Sequence, residues 1–202
     1  MSKMKALEEI FFDMYPDGFD DEEMKSIEKK HKLDKLSKMS QVMFTKEAFE
    51  NQDILANFTK IINASTLVSR FEKPAFKNFV GSITQDEKVR LEKALFEYIH
   101  GDEELGFNEM VFVMQPYKVA KWPILTVLKA YLNLDGDIFI KPTTVKMILG
   151  YFEADFKYTS KPNYDFYKTY RAFINDIKSQ ASPGVKPNNP AFSGFLMMTI
   201  GK

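Results

Sequence analysis

Residues 119–148 read VAKWPILTVLKAYLNLDGDIFIKPTTVKMI, and the class of the fold turns on them. As far as Leu132 the apolar residues recur at helical spacing, with Pro123 where a first helical turn tolerates it. Asn133 to Gly136 give the best turn signal in the chain, and Ile138, Phe139 and Ile140 the best extended one. Lys141-Pro142 breaks that run, and helix is expected again from Thr143. One short extended run has no partners with which to build a sheet. The expectation is a mainly α, compact multi-helix fold, with at most one short extended segment near residues 137–141.

The flanks agree. Leu7, Ile10, Phe11 and Met14 step by three and four, as on an amphipathic opening helix, and YPDGFDDEE follows as a turn leading into an acidic helix start. Met24 and Ile27 form a thin apolar stripe on a strongly charged segment that belongs on the surface. Lys73-Pro74 marks a break or a first helical turn. Thr84 and Glu87 have capping-box spacing, Leu91, Leu95 and Ile99 line one face behind them, and Gly101 is the stop. Asn163 caps another helix. The Pro/Gly/Asn-rich stretch ASPGVKPNNPAF then leads to an apolar terminal piece, SGFLMMTI. These signals add up to roughly eight to ten helices in one domain over residues 1–202, with two lobes conceivable on grounds of charge.

That charge is unevenly placed. The net charge is zero, yet residues 1–117 carry 16 basic and 22 acidic side chains and residues 118–202 carry 12 and 6, balances of −6 and +6. A basic half suits an anionic partner; equally, the halves can attract each other, or the charges can lie on solvated faces. With 45% hydrophobic and 14% aromatic residues there is ample material for a core. No apolar run approaches a membrane span, and the acidic residues of MSKMKALEEIFF interrupt any signal peptide, so no membrane and a cytoplasmic location are expected.

Several chemistries find no footing. There is no cysteine, which removes disulfides, thiolate nucleophiles and cysteine-type zinc sites. The two histidines, His31 and His100, sit in no recognisable catalytic set. Phosphate-loop and dinucleotide patterns are absent. EF-hand spacing fails from Asp135, where the fifth and sixth positions are Phe139 and Ile140, and from Asp13, where Tyr15 stands third. Asp102, Glu103, Glu104 and Glu109 form an acidic cluster at a helix boundary, read more simply as capping or solvated charge than as a paired-carboxylate centre. No cofactor and no metal are called for.

The strongest positive pattern lies on the helix after Lys161-Pro162-Asn163. Phe166, Tyr170, Phe173 and Ile177 form an apolar face, and Tyr164, Lys168, Arg171 and Lys178 share another. With Lys141, Lys146 and Lys161, that second face has the spacing expected of phosphate contacts, or of an ordinary solvated surface. Thr143 and Thr144 add a helix start whose free N–H groups would favour an anion, unless Thr143 merely caps its own helix.

FFDMYPDGFDDEE, STLVSRFEKPAFKN, AKWPILTVLKAYLNLDGDIFIKPTTVKMI and KPNYDFYKTYRAF together resemble a family of uncharacterised bacterial helical proteins carrying Lys-Trp-Pro, Phe-x-Lys-Pro and Pro-Asn-aromatic motifs in this order. That resemblance spans most of the chain and implies no activity. Over about residues 110–180 the chain also resembles, more faintly, the helix-hairpin-helix DNA glycosylases. The position of their catalytic Asp is held by Pro142, and no Gly-x-Gly hairpin precedes Lys118, so this likeness implies a DNA-binding helical scaffold without base excision.

The leading expectation is therefore a non-enzymatic module that binds a phosphate-bearing partner, nucleic acid foremost, through Lys141, Thr143, Thr144, Lys146, Lys161, Tyr164, Lys168, Arg171 and Lys178. Two other readings stand beside it: self-association through the 192–200 tail, and an enzyme with a glycosylase-like helical pocket.

Overall fold

A computed structural model describes residues 2–202 of the chain. Among them are twelve α-helices and two short 3-10 turns, and no strand. The helices are α1 (Lys3–Met14), α2 (Glu22–His31), α3 (Leu33–Met43), α4 (Lys46–Asn51), α5 (Ile54–Ala64), α6 (Glu72–Ser82), α7 (Gln85–His100), α8 (Glu103–Met114), α9 (Trp122–Leu132), α10 (Pro142–Phe152), α11 (Tyr164–Ser179) and α12 (Asn189–Thr199). This exceeds the eight to ten expected, because the stretch from Leu33 to Ala64 is cut into three. Thr45 and Asp53 each stop one helix and cap the next, accepting from the Ala48 and Ala56 N–H groups.

The decisive stretch supplies the centre. α9 is buried on nearly every side, Trp122 to Leu128 without a gap and then Ala130 and Tyr131, as its unbroken apolar sequence requires. Tyr131 donates to or accepts from Ser65 at 2.8 Å, so even its one polar end is satisfied. Pro123 lies in the first turn of α9, Pro74 in that of α6 and Pro142 opens α10.

The corner at 137–141 is extended, yet its backbone is served by side chains instead of a neighbouring strand. The Ile140 N–H donates to the buried Thr126 hydroxyl of α9. The Asn175 amide of α11 donates to the Gly136 carbonyl, and the Asn189 amide of α12 to that of Asp137. Asn133 braces the turn itself, taking the Gly136 N–H and donating to the Asp137 carboxylate. Three helices are thereby pinned to one turn, which is how a polar, irregular segment can sit in the interior.

The terminal piece packs onto the body of its own chain. Phe192, Phe195 and Leu196 are fully buried, and Phe195 meets Phe11 of α1 edge to face at 5.2 Å. Met197 of α12 is left exposed. One contiguous apolar cluster runs from Met4 to Leu196, through the acidic and the basic halves alike. Among the described residues, no helix is long and apolar enough to cross a membrane.

Candidate anion-binding site

The basic face foreseen on α11 divides in two. α11 buries a wider arc than the four apolar residues, adding Tyr164, Tyr167 and Ile174, and this arc draws Arg171 inward. Arg171 grips Glu103 of α8 with both terminal nitrogens, at 2.7 and 2.9 Å, and donates to Asp137 at 2.6 Å. Glu103 also takes the Tyr164 hydroxyl at 2.8 Å and faces the Lys129 ammonium at 3.3 Å. Asp137 takes the Tyr167 hydroxyl at 3.0 Å. Two carboxylates thus meet two cations, a closed quartet in which each charge has its opposite.

The electrostatics follow from that closure. Burial pushes the Glu103 carboxyl up, but the Arg171 hydrogen bonds, the Lys129 charge and the Tyr164 hydroxyl outweigh it and leave the pKa at about 2. Arg171 is driven the other way: burial opposes its charge, while Glu103, Tyr167 and Asp137 hold the proton more firmly still. Arg171 gives three hydrogen bonds to two carboxylates, and their charges offset its own toward an outside anion. Tyr164 and Arg171, two of the nine expected contacts, are occupied within the chain.

The other seven are scattered. Lys178 is half-buried, donating to the Asp135 carbonyl at 3.4 Å with its carboxylate 3.8 Å away. Lys146 lies over the Tyr158 ring, 5.1 Å from its centroid. Lys168 is exposed and makes no ion pair among the described residues. Lys141 is the N-cap of α10, so Thr143 falls one step inside the helix and caps nothing; the first turn has no side-chain cap at all. Lys141 and Thr144 instead border an apolar cavity. Lys161 alone joins a concave cationic surface.

That surface is built by the Lys-Trp-Pro and Pro-Asn-aromatic motifs acting on each other. The Trp122 indole N–H, at the start of α9, donates to the Thr159 carbonyl at 2.8 Å. Thr159 and Asn163 both donate to the Lys161 carbonyl, and Asn163 caps α11 through the Phe166 N–H. The loop carrying Lys161 is therefore fastened beside the loop carrying Lys121. On the far side, α8 ends in a tight turn where the Lys118 N–H bonds to the Gln115 carbonyl at 3.0 Å and Lys118 takes a φ of 59°, in the left-handed region.

Gln115, Lys118, Lys121, Ser160 and Lys161 line the resulting depression of about 360 Å³, floored by Val111, Ala120 and Pro162. Its three ammonium groups make no ion pair among the described residues, and no carboxylate lines it. Glu72, which feels the Lys121 charge, is pushed up by burial and lies outside the lining. Lys118 and Lys121 were not singled out from the sequence. Their signal was present in Lys-x-x-Lys-Trp-Pro, but only the Trp122 bond to Thr159 shows that this run and Lys161 share a surface.

Comparison of the chain with protein-family models, with curated proteins and with solved structures gives no match.

Proposed function

We propose that the chain is a binding module for nucleic acid, which it contacts through phosphates at the depression lined by Lys118, Lys121 and Lys161. The observation that carries this reading is that three lysines, none of them in an ion pair among the described residues, line one concave surface without a carboxylate. Like charges repel, so such a cluster is most stable with an anion between its members. Ser160 and Gln115 add neutral donors of the kind that position a phosphate. The three lysines belong to the half of the chain with the +6 balance, which also carries the exposed Lys157 and Lys168. The proposed contacts are to phosphates, so the reading is of sequence-tolerant contact with the backbone.

The experiment is fluorescence anisotropy with labelled single-stranded and duplex oligonucleotides at low salt. Reversing Lys118, Lys121 and Lys161 to Glu together is expected to abolish binding. Reversing Lys168 alone is expected to weaken it by less than tenfold, as a single peripheral contact. Equal effects of the two, or none, would remove the depression from the account.

A further inference from the structure

A second cavity, of about 220 Å³, lies between the two ends of the chain and has the opposite character. Met24 and Ile27 of α2, Phe139 of the extended corner, Val145 of α10, Tyr170 of α11 and Met197 of α12 all contribute to its wall. An apolar cavity of about 150 Å³ already holds a benzene ring, so this one has room for an apolar body of roughly eight carbon atoms. Methionine side chains adapt to varied shapes, which suits a wall meant to close on a guest.

Three features set it apart from a packing fault. Tyr170 is 2% exposed and lines the cavity, and its hydroxyl makes no hydrogen bond among the described residues. Lys141 and Thr144 stand at the border, and beside them the Thr143 and Thr144 N–H groups in the first turn of α10 find no acceptor among the described residues. Gly194 of α12 lines the cavity, and a Cβ built there meets nothing within 4 Å. The fold keeps this space open.

The remaining charged and titratable lining groups belong to α2. His31 is engaged with the Thr66 hydroxyl at 2.8 Å. Burial, then the Asp34 and Asp20 carboxylates, push the Glu28 carboxyl up. α2 itself fully buries only Met24, so the element over this cavity is lightly held.

We infer that this cavity binds a small amphipathic carboxylate, its apolar body among Met24, Ile27, Phe139 and Met197 and its carboxylate taken by the donors the fold leaves unused, the Tyr170 hydroxyl and Lys141. The inference is independent of the nucleic-acid reading, because none of the three lysines of the cationic depression lines this cavity.

Isothermal titration calorimetry of the full chain with octanoate, 1-octanol and octylammonium tests it. Octanoate is expected to bind tightest; no measurable binding of any of the three, or octanol or octylammonium binding as tightly as octanoate, overturns the inference. Gly194→Leu fills the space, and octanoate binding is expected to vanish while the far-ultraviolet circular dichroism stays unchanged. Octanoate bound as before by that folded variant also overturns it. Tyr170→Phe keeps the ring and loses only the hydroxyl, so it decides the matter should Gly194→Leu fail to fold. It is expected to weaken octanoate about fivefold, and Lys141→Gln about tenfold, with octanol unmoved by the latter. Unchanged octanoate affinity in both variants rejects the assigned donors and the inference with them.

Discussion

Arg171 of α11 and Glu103 of α8 are joined by two parallel hydrogen bonds, 2.7 and 2.9 Å long, across 68 residues of sequence. This fork ties the acidic and the basic halves of the chain together, and Lys129 reinforces it from α9. It also decides which basic residues remain for a partner: those outside the quartet.

Removing one member of the quartet leaves a partner charged and buried. Glu103→Gln is expected to lower stability by about 3 to 5 kcal/mol, measured by urea denaturation. Replacing both Glu103 and Arg171 by apolar residues of similar size is expected to cost at least as much as either single change, because it strands Asp137 without Arg171 and Lys129 without Glu103. A double variant more stable than both singles would mean that Asp137 and Lys129 compensate each other once the pair is gone.

Acid should act through the same residue. The Glu103 pKa falls from 4.5 to about 2 on folding, so the ionised form stabilises the native state. The sign follows directly: this contribution is fully present above pH 4.5 and is lost as the pH falls from there through about 2. Its size is roughly 3 kcal/mol at 1.36 kcal/mol per pKa unit. Denaturation midpoints between pH 2 and 6 are expected to show this slope in the wild type and to lose most of it in Glu103→Gln.

Gly106 permits a close approach of α8 to α7. A Cβ there would run into the backbone of Ala94 and Tyr98 on α7, which cannot step aside as a side chain can. Gly106→Ala is expected to cost more than about 3 kcal/mol despite the better helix propensity of Ala. Gly81→Ala, on a helix position whose Cβ meets nothing within 4 Å, is the matched control and should be neutral or mildly stabilising in the same melts.

Trp122 links stability to the proposed site. Trp122→Phe keeps a ring in the core but leaves the Thr159 carbonyl without its donor and loosens the Lys161 loop. Stability is expected to fall by about 1 to 3 kcal/mol, and oligonucleotide affinity to drop although no lysine has changed. Unaltered affinity in a folded Trp122→Phe would show that the loop needs no such fastening.

What the sequence makes legible is what local chemistry controls. Thr84 and Glu87 form the capping box that their spacing announces, with both reciprocal hydrogen bonds in place, and Asn163 caps α11. Trp122 is core, as a lone tryptophan in an apolar helix should be. The absence of a sheet follows from a single extended run with nothing to pair with. The site is less legible, because Arg171 and Lys168 look alike on a helical wheel. Only Glu103 and Asp137, 68 and 34 residues away, make one an interior tie and leave the other in solvent. Periodicity reports the face of a helix and carries no information on which distant acid waits opposite it. Lys118 and Lys121 were missed for the same reason, since their neighbour Lys161 is brought in by the Trp122 indole.

The most direct test of nucleic-acid binding at the three-lysine depression is the salt dependence of oligonucleotide affinity. Phosphate contacts release counterions, at about 0.7 log units per contact per decade of salt for a single strand. The wild type is expected to bind at low salt with a slope steeper by about 2 than that of the Lys118→Ala, Lys121→Ala, Lys161→Ala triple variant. No binding by the wild type at low salt, or identical slopes for the two proteins, would contradict the account.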